Sequence, residues 1–158
     1  MHSKVLSITL FPLLLISSFI TPEQALATWG FETFKSGSLH HQVATSSPQK
    51  NGRELEVFCS STDPRLTLAL YLPKQRFRRR EPVEITLQID RKRSWKIPAT
   101  RHAMAITAPD ISDAVIEDLS SGNRARITFP ISSQRKQTEI FHLRRSSVAL
   151  SSIVSKCG

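Results

Sequence analysis

Residues 83–89 read Val83-Glu84-Ile85-Thr86-Leu87-Gln88-Ile89, four aliphatic side chains separated by three polar ones. Successive side chains leave a strand on opposite faces, so this alternation predicts a strand with one face in a core and the other in water. Such a half-wet strand belongs to an antiparallel sheet. The pattern continues upstream. Leu66, Leu68, Leu70 and Leu72 alternate with Thr67, Ala69 and Tyr71, and Leu55, Val57 and Cys59 alternate with Glu54, Glu56 and Phe58. Weaker alternation predicts strands over Leu39–Ser46, His102–Thr107, Ala125–Phe129 and Thr138–Leu143.

Turn chemistry separates these runs. Thr62-Asp63-Pro64 divides the first two strong strands, and Gly122-Asn123 precedes the strand at Ala125. The basic stretch from Pro73 to Pro82 carries a proline at each end and reads as a connection. Ser46 to Gly52 is a polar loop. Two segments have helical spacing. In the first, Asp110 reads as the cap, with Asp113 three residues on. Ile111, Val115, Ile116 and Leu119 then share a face, and Asp113, Glu117 and Asp118 lie largely opposite, where the helix dipole favours early acids. The second is C-terminal, capped by Ser146 or Ser147, with Leu150, Ile153, Val154 and Cys157 on one stripe. The expected fold is mainly β (α+β): an antiparallel β-sandwich or barrel-like domain with one internal helix, a C-terminal helix and one disulfide.

The N-terminus sets the compartment. Lys4 precedes an apolar run from Val5 to Ile20, and Ala25-Leu26-Ala27 is an A-x-A cleavage site. Residues 1–27 therefore read as a secretory signal peptide, with Thr28 the first mature residue. The run is shorter than the ~20 residues of a spanning helix and contains Pro12, which argues against an anchor. What remains, residues 28–158, fits one domain of about 130 residues. An exported chain meets an oxidising compartment, and Cys59 and Cys157 both fall on core-facing positions, which predicts a bridge between them. In the chain-entropy picture, closing a loop of that size contributes up to about 4.7 kcal/mol. The competing reading is two buried free thiols.

The chain has 22 Lys and Arg against 13 Asp and Glu, a net charge of +9. Lys4 and Glu23 cancel, so the mature domain carries the whole excess. Basic residues cluster at Lys74, Arg76, Arg78, Arg79 and Arg80, around Phe77, and again at Arg91, Lys92 and Arg93, just before Trp95. A field of one sign attracts polyanions. For an exported chain the expected partner is an envelope protein with an acidic surface or an anionic envelope component. Peripheral membrane contact fits as well, whereas nucleic acid does not. Solvation of ordinary loops is the competing explanation of the charge, and core packing is the competing role for Trp95.

No catalytic constellation stands out. Adjacent His40 and His41 face opposite sides of a strand, while His102 and His142 are isolated, so no metal site is expected. Serine occurs in no G-x-S-x-G frame, and five scattered glycines form no phosphate-cradling loop. The expectation is a non-enzymatic protein without cofactors, localised to the periplasm or secreted.

The order of landmarks resembles the small exported proteins of the VasI/TagO type, associated with type VI secretion. Trp29 opens the mature chain, Leu55-Glu56-Val57-Phe58-Cys59 is a hydrophobic strand ending in cysteine, and Leu66, Leu68 and Leu70 follow. Val83 with Ile89-Asp90, then Trp95 and Ala103-Met104, continue the match. A helix ending at Leu119, the strand Arg126-Ile127-Thr128-Phe129 and the ending Phe141-x-Leu143, Leu150-x-x-Ile153, Cys157-Gly158 complete it. Gln88, Arg91 and Arg144-Arg145-Ser146 depart from that pattern. The resemblance implies a periplasmic accessory or binding protein. Two alternatives remain, a secreted invasion-type factor that binds polyanionic surfaces and an enzyme acting on envelope polymer.

Overall fold

A computed structural model describes residues 28–157; the signal-peptide reading of residues 1–27 lies outside the described residues. Nine strands and two helices follow in the order β1 (Trp29–Ser36), β2 (Leu39–Ser46), β3 (Glu54–Ser60), β4 (Asp63–Tyr71), β5 (Phe77–Ile89), β6 (Ser94–Ala103), β7 (Ala105–Ala108), α1 (Asp113–Ser121), β8 (Arg124–Pro130), β9 (Lys136–His142) and α2 (Ser146–Cys157). All strands belong to one sheet, ordered β1-β2-β3-β4-β7-β6-β5-β8-β9, and every pairing is antiparallel. The mainly β architecture with an internal and a terminal helix is as the alternation requires.

The sheet curls until its two ends meet. No β1–β9 ladder closes it among the described residues. Instead the Trp29 amide donates to the Arg144 carbonyl at 3.2 Å, and the Trp29 indole donates to the His142 carbonyl at 3.1 Å. The Gln49 side chain donates to the Ile140 carbonyl, and Arg53 pairs with Glu139. One continuous core fills the interior. It takes Leu55, Val57, Leu68, Leu70, Leu72, Ile85, Leu87 and Ile89 from the strong strands, and Ile127, Phe129 and Phe141 from β8 and β9. Each fully buried side chain of this size contributes about 1.5–3 kcal/mol.

Helix α2 packs against β1–β4 and against α1. Its buried stripe is Ala149, Leu150, Ile153 and Cys157. Cys157 is bonded to Cys59 on β3 across a sequence separation of 98. The bridge therefore staples the last helix to the sheet, and the free-thiol alternative falls.

Several local expectations change. The basic stretch from Pro73 to Pro82 is not all connection, because β5 begins at Phe77, which pairs with Ala103 and packs on the core. Strand β1 was not expected, since six of its residues face solvent and it alternates weakly. The first half of β6 was hidden by Pro98. There β6 is flanked by β5 alone, where a sheet tolerates a residue lacking an N–H. The N-cap of α1 is Ser112 rather than Asp110, and it makes no side-chain cap bond. Asp110 instead occupies a turn at φ 57°, and the next amide, Ile111, donates to the Leu66 carbonyl. Neither Ser146 nor Ser147 caps α2 from outside. Ser146 is its first residue, buried, and its hydroxyl donates to the Leu119 carbonyl at 2.7 Å. Val154 is exposed, and Ala149 takes the core position.

At the end of α1, Gly122 allows a close approach. A Cβ there would sit 2.2 Å from the Ile89 side chain.

Candidate anion-binding surface

The two basic clusters lie at opposite ends of β5. At about 3.3 Å per strand residue they are separated by roughly 35 to 40 Å, so they do not form one continuous patch.

At the first end, Phe77 pairs with Ala103 and Glu81 pairs with Arg101. Three residues of β5 (Arg78, Arg79 and Arg80) therefore stand opposite the single residue His102 of β6. This is a bulge, and bulges bend a strand and re-aim its side chains. It brings three successive arginines to one place, all exposed, with Lys74 and Arg76 exposed just before them. None of these five residues has an acidic partner among the described residues.

Beside the bulge is a cleft of about 380 Å³. Arg76, Arg78 and Arg79 line one side, and Phe77 and Ile131 give it an apolar floor. Arg101 and Glu81 complete the wall. The Arg101 Nε donates to Glu81 at 3.0 Å, its Nη1 donates to the Pro130 carbonyl at 3.2 Å, and its guanidinium lies 5.3 Å over the Phe77 ring. Arg101 is therefore a fixed wall, and Arg76, Arg78 and Arg79 are free forks suited to oxyanions. Sequence reasoning missed Arg101 and Glu81, because the register that sets them side by side depends on the bulge.

Two members of the other cluster, Lys92 and Arg93, contact neighbouring elements of the fold. Arg93 lies 3.9 Å over the Trp95 ring, and its Nε is 3.5 Å from the Asp118 carboxylate. The Trp95 indole donates to the same carboxylate at 2.9 Å. Lys92 reaches the Ser121 hydroxyl at 3.4 Å, while Arg91 is exposed. Trp95 is thus a half-buried clasp between β6 and α1.

Asp90 organises this end. Its carboxylate accepts from the amides of Asn123 and Arg124, at 3.1 and 2.9 Å. Partial desolvation pushes its pKa up, but these hydrogen bonds outweigh that and hold it below the usual carboxylate range.

A second concavity of about 500 Å³ lies on the outer face of β1–β3. Glu32, Glu54 and Glu56 share it with Phe34, Val43 and Phe58. Burial, and then the neighbouring Glu54, push the Glu56 pKa above the ordinary glutamate value. The alternation of β3 already set Glu54, Glu56 and Phe58 on one face. The contribution of β1 was not legible.

The architecture defines a class: small antiparallel domains built on one curled sheet, with a terminal helix stapled to it by a single disulfide. The sequence matches no protein-family model and no curated protein. Among solved structures the chain is similar to invasion associated protein B from Bartonella henselae, with a TM-score of 0.55 and 12% sequence identity, over 84% of this chain and 95% of that one. At that identity the likeness is one of fold.

Proposed function

We propose that the chain is an exported, non-enzymatic accessory protein of the cell envelope, periplasmic or secreted, which meets an anionic partner through Lys74–Arg80. One observation carries this reading: the bulge in β5 presents three adjacent exposed arginines, with no ion-pair partner among the described residues, beside a cleft that Arg101 walls and Phe77 floors. The disulfide supports an oxidising compartment, and the leader-like residues 1–27 agree with export. Membership of the VasI/TagO type belongs to the same proposal. In its support, the residues behind that resemblance have structural work here, namely Asp90 at the β8 turn, Trp95 on α1 and the Cys59–Cys157 staple.

A second reading is an invasion-type factor that binds polyanionic surfaces, and the shared fold with invasion associated protein B favours it. Titration with heparin and with polyphosphate at stepped salt separates the two. A polyanion binder loses affinity steeply as salt rises. An adaptor retains a defined protein partner at moderate ionic strength. Arg78→Ser/Arg79→Ser/Arg80→Ser abolishes either interaction, and a triple variant that binds as the parent does overturns the assignment of the site.

A further inference from the structure

The outer edge of β1 is an open ladder. The Ser47 amide donates to the Thr28 carbonyl at 2.8 Å, so the chain at Thr28 bonds toward β2; the Trp29 amide turns the other way and donates to Arg144. In an antiparallel pair the direction alternates from residue to residue. Phe31, Thr33 and Lys35 therefore aim their N–H and C=O groups away from β2. No described strand pairs there, and Glu32 to Ser36 are all exposed. An unpaired row of this kind is a template for another strand.

The face next to that edge has a definite chemistry. Side chains of even-numbered β1 residues point into the outer concavity, where Glu32 lies in one rank with Val43 and Phe58, and Phe34 lies beside His41. Phe34 is 49% exposed and stacks on His41 at 4.9 Å. Thr45 and Glu56 form the next rank, with Glu54 beyond. In a chain of net charge +9, three glutamates share one face, and none of them has an ion-pair partner among the described residues. The facing strand β4 adds Thr67, Ala69 and Tyr71, none of them basic. Neighbouring like charges on a sheet face are unfavourable, and a cation from outside relieves them.

We propose that β1 is a strand-addition site for an extended, lysine- or arginine-bearing segment of a partner protein. Backbone bonds to Phe31, Thr33 and Lys35 hold the segment, and its alternate basic side chains lie over Phe34 and Val43 toward the glutamates. Strands are ~4.8 Å apart, so β3 is about 14 Å from the added strand, a gap that an extended Arg and an extended Glu cover together. A second copy of this chain is a poor occupant, because β1–β1 pairing would double the glutamates on that face. The site is separate from the arginine bulge and does not rest on it.

The test uses the purified protein and a capped nine-residue peptide alternating Lys and Val, followed by titration calorimetry. Binding is expected to weaken at least tenfold in Glu54→Gln/Glu56→Gln, and to vanish when Glu replaces Lys in the peptide. Arg78→Ser/Arg79→Ser/Arg80→Ser leaves it unchanged, which keeps this site distinct from the anion-binding one. Thr33→Pro removes an outward N–H together with the Thr33 hydroxyl bond to Gln42, which Thr33→Val removes alone. Thr33→Pro weakens binding at least tenfold with an unchanged melt, and Thr33→Val binds as the parent does. If Thr33→Pro does not fold, the peptide decides. N-methylation of the valines and of the lysines, in separate peptides, blocks opposite edges of the added strand. One version should lose binding and the other keep it. Equal behaviour of the two versions, whether both bind or both fail, overturns the proposal. So does parental affinity in the Glu→Gln double variant, or no binding at millimolar peptide.

Discussion

At the start of β5, Arg78, Arg79 and Arg80 stand in solvent and form no ion pair with a carboxylate among the described residues. At the turn after its end, Arg93 covers Trp95 at 3.9 Å and both reach the carboxylate of Asp118. The two stretches have almost the same composition, basic residues around one aromatic. What separates them is the element packed alongside. Helix α1 brings Asp118 to the second cluster, whereas β6 brings the bulge only His102. A basic run is structural where a neighbouring element supplies its counter-charge, and it is free for a partner where none does. Exposed pairs contribute little stability, so the half-buried indole and carboxylate carry the weight at the structural end.

Breaking the staple tests the structural end most severely. Helix α1 rests on α2, through Ser146 to Leu119 among other contacts, and α2 is tied to β3 by Cys157. Cys157→Ser is expected to cost about 2–5 kcal/mol in chemical denaturation. Hydrogen exchange should quicken in α1 and α2, and polyanion affinity should stay as it was. A variant that also loses the anion would show the two ends to be coupled.

Trp95→Ala comes next. It removes a half-buried ring and the donor to Asp118, and should cost about 2 kcal/mol, below the range for a fully buried tryptophan. Arg78→Ser/Arg79→Ser/Arg80→Ser should move stability by no more than about 0.5 kcal/mol per substitution, as exposed changes do. The same change should flatten the dependence of polyanion affinity on salt. A large loss of stability in the triple variant, seen by thermal melting, would make the bulge structural and erase the contrast.

The contrast between the two clusters was not legible in the sequence, although much of the fold was. Alternation at Leu55–Cys59, Leu66–Leu72 and Val83–Ile89 placed the core correctly, because a buried face forces period two. Cys59 and Cys157 followed from the same faces. The failures occur where the chain departs from that periodicity. Strand β1 projects six exposed residues, β6 contains Pro98, and the bulge inserts arginines into β5. Counter-charges are long-range: Asp118 is 23 residues from Trp95 in sequence, and no local pattern links them. The acidic face needed the register of three strands.

Two carboxylates sharpen the comparison with the smallest effects and opposite signs. Asp90, at the structural end, has a depressed pKa in the fold. Between its folded and unfolded values the unfolded chain binds more protons, so Asp90 adds stability above its unfolded pKa, and this is lost as pH falls through the folded one. Glu56, on the outer face, has a raised pKa, first from burial and then from Glu54. Between its unfolded and folded values the native state binds more protons. Its ionisation therefore weakens the fold as pH rises through that window, and acidification relieves the penalty. Urea denaturation from pH 3 to 7 should show Glu56→Gln flattening a decline in stability above the ordinary glutamate pKa, while Asp90→Asn flattens a rise below the ordinary aspartate pKa. If Glu56→Gln left the upper slope unchanged, Glu56 would be an ordinary solvated carboxylate. A basic strand over that face would then gain no more from it than from any exposed acid.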